Sequence, residues 1–120
     1  MGISIRLGGF FLVVLLSLNL KTYGSQRIVL GWDPSPDSRT AGYSVHVEDL
    51  AGNPISRSDV GLNTTATISN LDEGDTYVFY VSAYGYDTFM EETYLLESEP
   101  TNRITYRVPR VILSRRYKRP

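Results

Sequence analysis

The sequence predicts an all-β fold: one antiparallel sandwich. Three observations carry this. After residue 25 the apolar residues recur with a period of two, as in Tyr43-Ser44-Val45-His46-Val47-Glu48 and in Tyr77-Val78-Phe79-Tyr80-Val81-Ser82-Ala83-Tyr84. No later stretch sustains a helical period. Gly, Pro, Asn and Asp cluster between the alternating runs, where turns are needed. At 120 residues the chain is expected to form a single domain. It contains no cysteine, which excludes disulfides, thiol nucleophiles and Cys-based zinc sites. The core must therefore be held by packing alone.

Residues 1–24 read differently from the rest. Arg6 precedes a nearly unbroken apolar run from Leu7 to Leu20, and Lys21 and Thr22 follow it. This charge–apolar–polar order is that of a secretory signal, and the run is shorter than the ~20 residues that span a bilayer. Residues 1–24 are read as a signal peptide cleaved after Gly24, and the protein as secreted or held in the cell envelope. An uncleaved membrane anchor and a buried strand are the alternatives. Contact with a membrane is expected only if the segment stays uncleaved.

The expected domain covers residues 25–109. Ile28 to Trp32 is a short apolar strand, stopped by Asp33-Pro34-Ser35-Pro36-Asp37 because proline lacks a ladder donor. Tyr43 to Glu48 is the next strand, with Tyr43, Val45 and Val47 on one face. Pro54 to Val60 is a weak edge strand and Thr65 to Ile68 another short one. Asp72-Glu73-Gly74-Asp75 turns the chain into Thr76 to Tyr84. Arg103 to Val108 is the last strand, closed by Pro109. Residues 110–120 form a basic tail.

Five groups of residues, in order, resemble the fibronectin type III family over roughly Arg27 to Val108. Leu30-Gly31-Trp32 is similar to its L-x-W strand, and Asp33-Pro34-Ser35-Pro36 followed by Gly42-Tyr43-Ser44-Val45 to the loop and strand after it. Leu71 and Tyr77, flanking Gly74, resemble the tyrosine corner. Tyr77 to Tyr84 resembles the sixth strand, and Ser98-Glu99-Pro100-Thr101-Asn102 the opening of the last. The resemblance implies an immunoglobulin-like antiparallel β-sandwich with Trp32, Tyr43, Leu71 and Tyr77 in its core. Its first strand is expected to be short or missing, because cleavage after Gly24 leaves only Ser25-Gln26-Arg27 ahead of the Leu-x-Trp strand; the alternative is that residues of the signal segment contribute to it.

Little in the sequence supports catalysis. His46 is the single histidine, expected as a solvated residue on the outward side of its strand, and no nucleophile elbow or phosphate loop accompanies it. No catalytic residue, cofactor or metal site is assigned; Asp72, Asp75, Asp33 and Asp37 read as turn formers. Charge is divided: from Arg27 to Val108 five basic residues face thirteen acidic ones, a balance of −8, whereas the tail from Arg110 carries +5. Export argues against nucleic acid as a partner. The unusual segment is Gly85 to Leu96, an expected loop rich in large apolar side chains; the alternative is that Leu95 and Leu96 begin the last strand and that Phe89 folds back as a lid on the core. Tyr86, Phe89 and Tyr94 are its candidate binding anchors, because exposed aromatics supply contact area at low entropic cost. The sequence thus points to a non-catalytic binding module contacting a protein or a polysaccharide through its loops. The alternative is a structural spacer or assembly subunit with no ligand of its own.

Overall fold

The computed structural model describes the backbone of residues 12–15 and the chain from residue 25 to residue 110. Residues 1–11, 16–24 and 111–120, which hold most of the expected signal segment and basic tail, lie outside the described residues. The described residues form eight strands and no helix: β1 (Leu12–Leu15), β2 (Ser25–Trp32), β3 (Thr40–Asp49), β4 (Pro54–Asp59), β5 (Thr65–Asp72), β6 (Thr76–Phe89), β7 (Glu92–Glu97) and β8 (Ile104–Arg107).

They build two antiparallel sheets, one in the order β1-β2-β5 and the other in the order β4-β3-β6-β7, with β8 also paired to β6. Along β6, Tyr84–Phe89 pair with β7 and Thr76–Phe79 with β8, so β7 and β8 lie end to end on the edge away from β3. Alternation sets which side chains face inward. Ile28, Leu30 and Trp32 of β2 share one buried cluster with Tyr43, Val45 and Val47 of β3, Leu71 of β5, and Tyr77, Phe79, Val81 and Ala83 of β6. All four expected core residues are in it. Trp32 meets Tyr43 edge to face at 5.7 Å, and the Tyr43 hydroxyl accepts the Ser35 N–H at 2.8 Å, which pins the Pro-rich turn to the core.

The tyrosine corner closes as the resemblance implied. Tyr77 keeps its ring buried and its hydroxyl accepts the Asp72 N–H at 3.0 Å. Between them Gly74 takes the left-handed conformation (φ 83°), and its N–H reaches the Val108 carbonyl at 2.8 Å.

The last strand is interrupted where Pro100 has no N–H to give. Ser98 and Thr101 bridge the gap from both sides. Their backbone N–H groups donate to the Ala83 and Val81 carbonyls, while their hydroxyl oxygens accept the N–H groups of Ala83 (2.8 Å) and Val81 (2.9 Å). Two side-chain oxygens thus replace the carbonyls that an unbroken strand would present.

One expectation changes. Residues 85–96 are not a loop: β6 continues to Phe89, and β7 returns beside it through Met90 and Glu91. Both turn residues have positive φ, 52° and 68°, the left-handed pair that a tight two-residue hairpin requires. The first strand is short, as expected, and it comes from within the apolar run. Leu12–Leu15 pair antiparallel with Val29–Trp32.

Trp32→Ala is expected to cost about 3–5 kcal/mol in denaturant melts, since it empties the centre of the core. Tyr77→Phe, which removes only the corner hydroxyl, is expected to cost roughly 1–3 kcal/mol. A loss under about 1 kcal/mol for Trp32→Ala would show that the indole is not central.

Candidate functional site: the outer face of the larger sheet

Side chains that alternate away from the core on β3, β4, β6 and β7 meet on the outer face of the larger sheet. Tyr84 is the brace of this surface. It stands opposite Gly42, which has no Cβ, so the Tyr84 ring lies across the β3 backbone; any side chain at position 42 would collide with it. The hydroxyl then reaches β4 and donates to the Asp59 carboxylate at 2.8 Å. Asp59 is held below its usual range, first by the Gly61 N–H and then by this phenol. Arg57, also on β4, extends over the face to Glu97 on β7 at 3.2 Å.

Farther along the face, Tyr80 is held on several sides. The Arg103 guanidinium sits 4.1 Å from its ring centroid, and the His46 imidazole stacks on it at 4.5 Å with 6° between planes. Two groups this close cannot share one side of the ring, so Tyr80 is sandwiched between them. Glu48 accepts from the Tyr80 hydroxyl at 2.7 Å and from Arg103 at 2.9 Å. His46 Nε2 lies 2.9 Å from Ser82 Oγ. His46 is therefore half-buried and partnered, not the solvated strand histidine its outward position suggested.

Tyr86 and Leu95, opposite one another in register, continue the same face and are left exposed, at 54% and 58%. Ser44, Arg57, Asp59, Tyr84 and Glu97 complete a depression of roughly 370 Å³ around them. A wider cleft, roughly 680 Å³, opens at the Tyr77 end between the sheets. Its Asp49, Asp72 and Asp75 carboxylates do not converge: no group of three potential metal ligands occurs among the described residues.

The structure separates the three sequence-derived anchors. Tyr86 shares its side of the hairpin with Tyr84 and Leu95. Phe89 and Tyr94 alternate to the opposite side, where the Tyr94 hydroxyl donates to Glu92 at 3.0 Å. That side is rooted by Arg39, which bridges Asp37 at 2.7 Å and Asp87 at 3.1 Å. Sequence reasoning missed Tyr84, Tyr80 and Arg57. The period-two pattern of β6 did place Tyr80 and Tyr84 outward, but nothing in the sequence gave their cross-strand partners.

The sequence pattern of the fibronectin type III domain matches residues 16–103. The chain belongs to the fibronectin type III family. The match begins inside the apolar N-terminal run. None of the curated proteins matches the chain. Among solved structures, one described as a myokine structure is 15% identical, covers 88% of this chain and all of its own, and superposes with a TM-score of 0.62. The twitchin kinase region from C. elegans is 18% identical, covers 93% of this chain but only 18% of its own, and gives 0.59. A fibronectin type III domain from human KIAA0970 protein is 16% identical, covers 95% of this chain and 85% of its own, and gives 0.56. At these identities the likeness is one of fold: an immunoglobulin-like β-sandwich. Fibronectin type III domains are commonly non-catalytic binding or spacer modules.

One property of this fibronectin type III surface is open to titration. His46 is pushed below its ordinary value of 6.5, first by burial and then by Arg57. The folded state thus binds its proton more weakly than the unfolded chain does. The stability this neutral imidazole contributes is complete above about pH 6.5 and is lost as pH falls toward the folded value. Denaturant midpoints from about pH 8 to about pH 5 are expected to fall more for the native protein than for His46→Gln, which cannot titrate. Parallel profiles would show that His46 protonates freely in the fold.

Proposed function

We propose that this protein is a non-catalytic binding module, exported to the cell envelope or beyond. It contacts a protein or a polysaccharide through the outer face of its larger sheet, with Tyr86 and Leu95 as the leading contacts. The observation that carries this reading is the contrast between the exposed pair and what surrounds it. Tyr86 and Leu95 stand open to solvent beside Tyr84, Asp59, Arg57 and Glu97, which are already fixed by mutual hydrogen bonds and ion pairs. A preordered polar surround around exposed apolar area lowers the entropic cost of docking. Export is supported by the order of charge and hydropathy in residues 1–24. Phe89 and Tyr94 face the other way and would touch a ligand only if it wrapped the hairpin.

The test uses labelled protein on two probes: insoluble envelope polysaccharide and extracted surface protein from the producing cell. Tyr86→Ala combined with Leu95→Ala is expected to weaken retention roughly tenfold or more, while Phe89→Ala combined with Tyr94→Ala changes it little. Retention should persist in about 0.5 M salt. Salt-sensitive retention that ignores both double variants would assign binding to the basic tail. No retention on either probe would favour the spacer.

A further inference from the structure

The sheet edges differ in how they resist pairing with another chain. β4 opens with Pro54, carries Arg57 and Asp59, and is exposed along its length. β5 is studded with Thr, Ser and Asn; β7 begins and ends with Glu; β8 ends in Arg107. Proline and charge are the usual guards of an open edge. β5 lacks both from Thr65 to Leu71 but is largely polar there; the apolar exception is β2. From Ile28 to Trp32 it has neither, and in the structure it is covered by β1 along Val29–Trp32. The covering residues lie within the segment read as a cleavable signal. Removing residues 1–24 would leave the least guarded edge of the domain open.

We infer that in the processed protein β2 pairs antiparallel with β2 of a second copy, across a two-fold axis at Leu30. This rests on the export reading above. The register supports it. Val14 stands opposite Leu30 in the intact chain. A second β2 centred on Leu30 sets its Ile28, Val29 and Leu30 where β1 sets Leu12, Val13 and Val14. Three of the four registered positions are thus replaced apolar for apolar, and at the fourth Gly31 of the second copy takes the place of Leu15 opposite Val29. The same centring places Arg27 of each copy opposite Asp33 of the other. Two ion pairs of identical geometry then bracket the uncharged stretch, as a self-complementary two-fold interface requires. The dimer joins the smaller sheets into one, in the order β5-β2-β2-β5, and leaves the outer faces of both larger sheets free. In the unprocessed chain β1 fills the site, so processing is also the switch for assembly.

The test starts from the full chain, expressed with its own N-terminal segment and recovered from outside the cell. Mass spectrometry reads its first residue and sedimentation its mass. The expected product begins near Ser25 and is a dimer. Arg27→Glu and Asp33→Lys are each expected to weaken dimerisation roughly tenfold or more, since each puts like charges face to face twice; the double swap should restore it. A product that begins near Ser25 and stays monomeric at about 100 μM overturns the pairing while the export reading stands. A product that retains Met1 overturns both. A dimer indifferent to the single charge reversals overturns this interface.

Discussion

The burial of one side of β6 against β2 is the constraint on which the rest of the domain depends. Tyr77, Phe79, Val81 and Ala83 point inward and are shielded almost completely, and the period of two then fixes every other residue of the strand on the outside. A shift by one residue would drive Tyr80 and Tyr84 into the core and turn the site inside out. The nine-pair register with β3, from Thr40 opposite Gly85 to Asp49 opposite Tyr77, transmits this phase to the neighbouring strand. The corner hydrogen bond from Asp72 to Tyr77 fixes where the strand begins. The order of the outer face is in this sense a by-product of packing on the inner one.

The outer face shows how a sheet can be both polar and ordered. Exposed single ion pairs contribute little, because water screens them and long side chains lose entropy. Here the charged groups are coupled through rings. Arg103, Tyr80 and His46 form one stack with Glu48 at its edge, and Tyr84 links three strands by lying over Gly42. Each aromatic ring limits the freedom of the charged group beside it. The surface that results is stiffer than a set of separate lysine–glutamate pairs would be.

Much of this was legible in the sequence because it follows from local rules. Strand phase, the Pro-rich stop after Trp32 and the edge strand at Pro54 all rest on spacing and turn chemistry within a few residues, and the tyrosine corner came from the family resemblance. The hairpin from Tyr84 to Glu97 was not legible, and the reason is particular. Tight hairpins are normally marked by Asn-Gly or Asp-Gly, residues that enter the left-handed region at low cost. Met90 and Glu91 occupy it here without that mark. The role of Gly42 was hidden for another reason: it depends on a residue 42 positions away in the chain. The four-residue strand at Leu12–Leu15 lay inside a run whose composition fits a leader equally well, and composition cannot distinguish the two.

The interruption between β7 and β8 has a consequence for how burial is shared along β6. β6 is fourteen residues long, yet its outer flank is stitched in two separate lengths, with the Ser98 and Thr101 hydrogen bonds between them. The lower length is backed by the core. The upper one, toward Met90, is exposed and closed by two residues in a conformation that costs each roughly 1–2 kcal/mol. Cooperativity is carried by shared burial, and the upper length has little of it. Burial is thus divided unevenly along β6: the sandwich body shares one core, and the projecting arm takes little part in it.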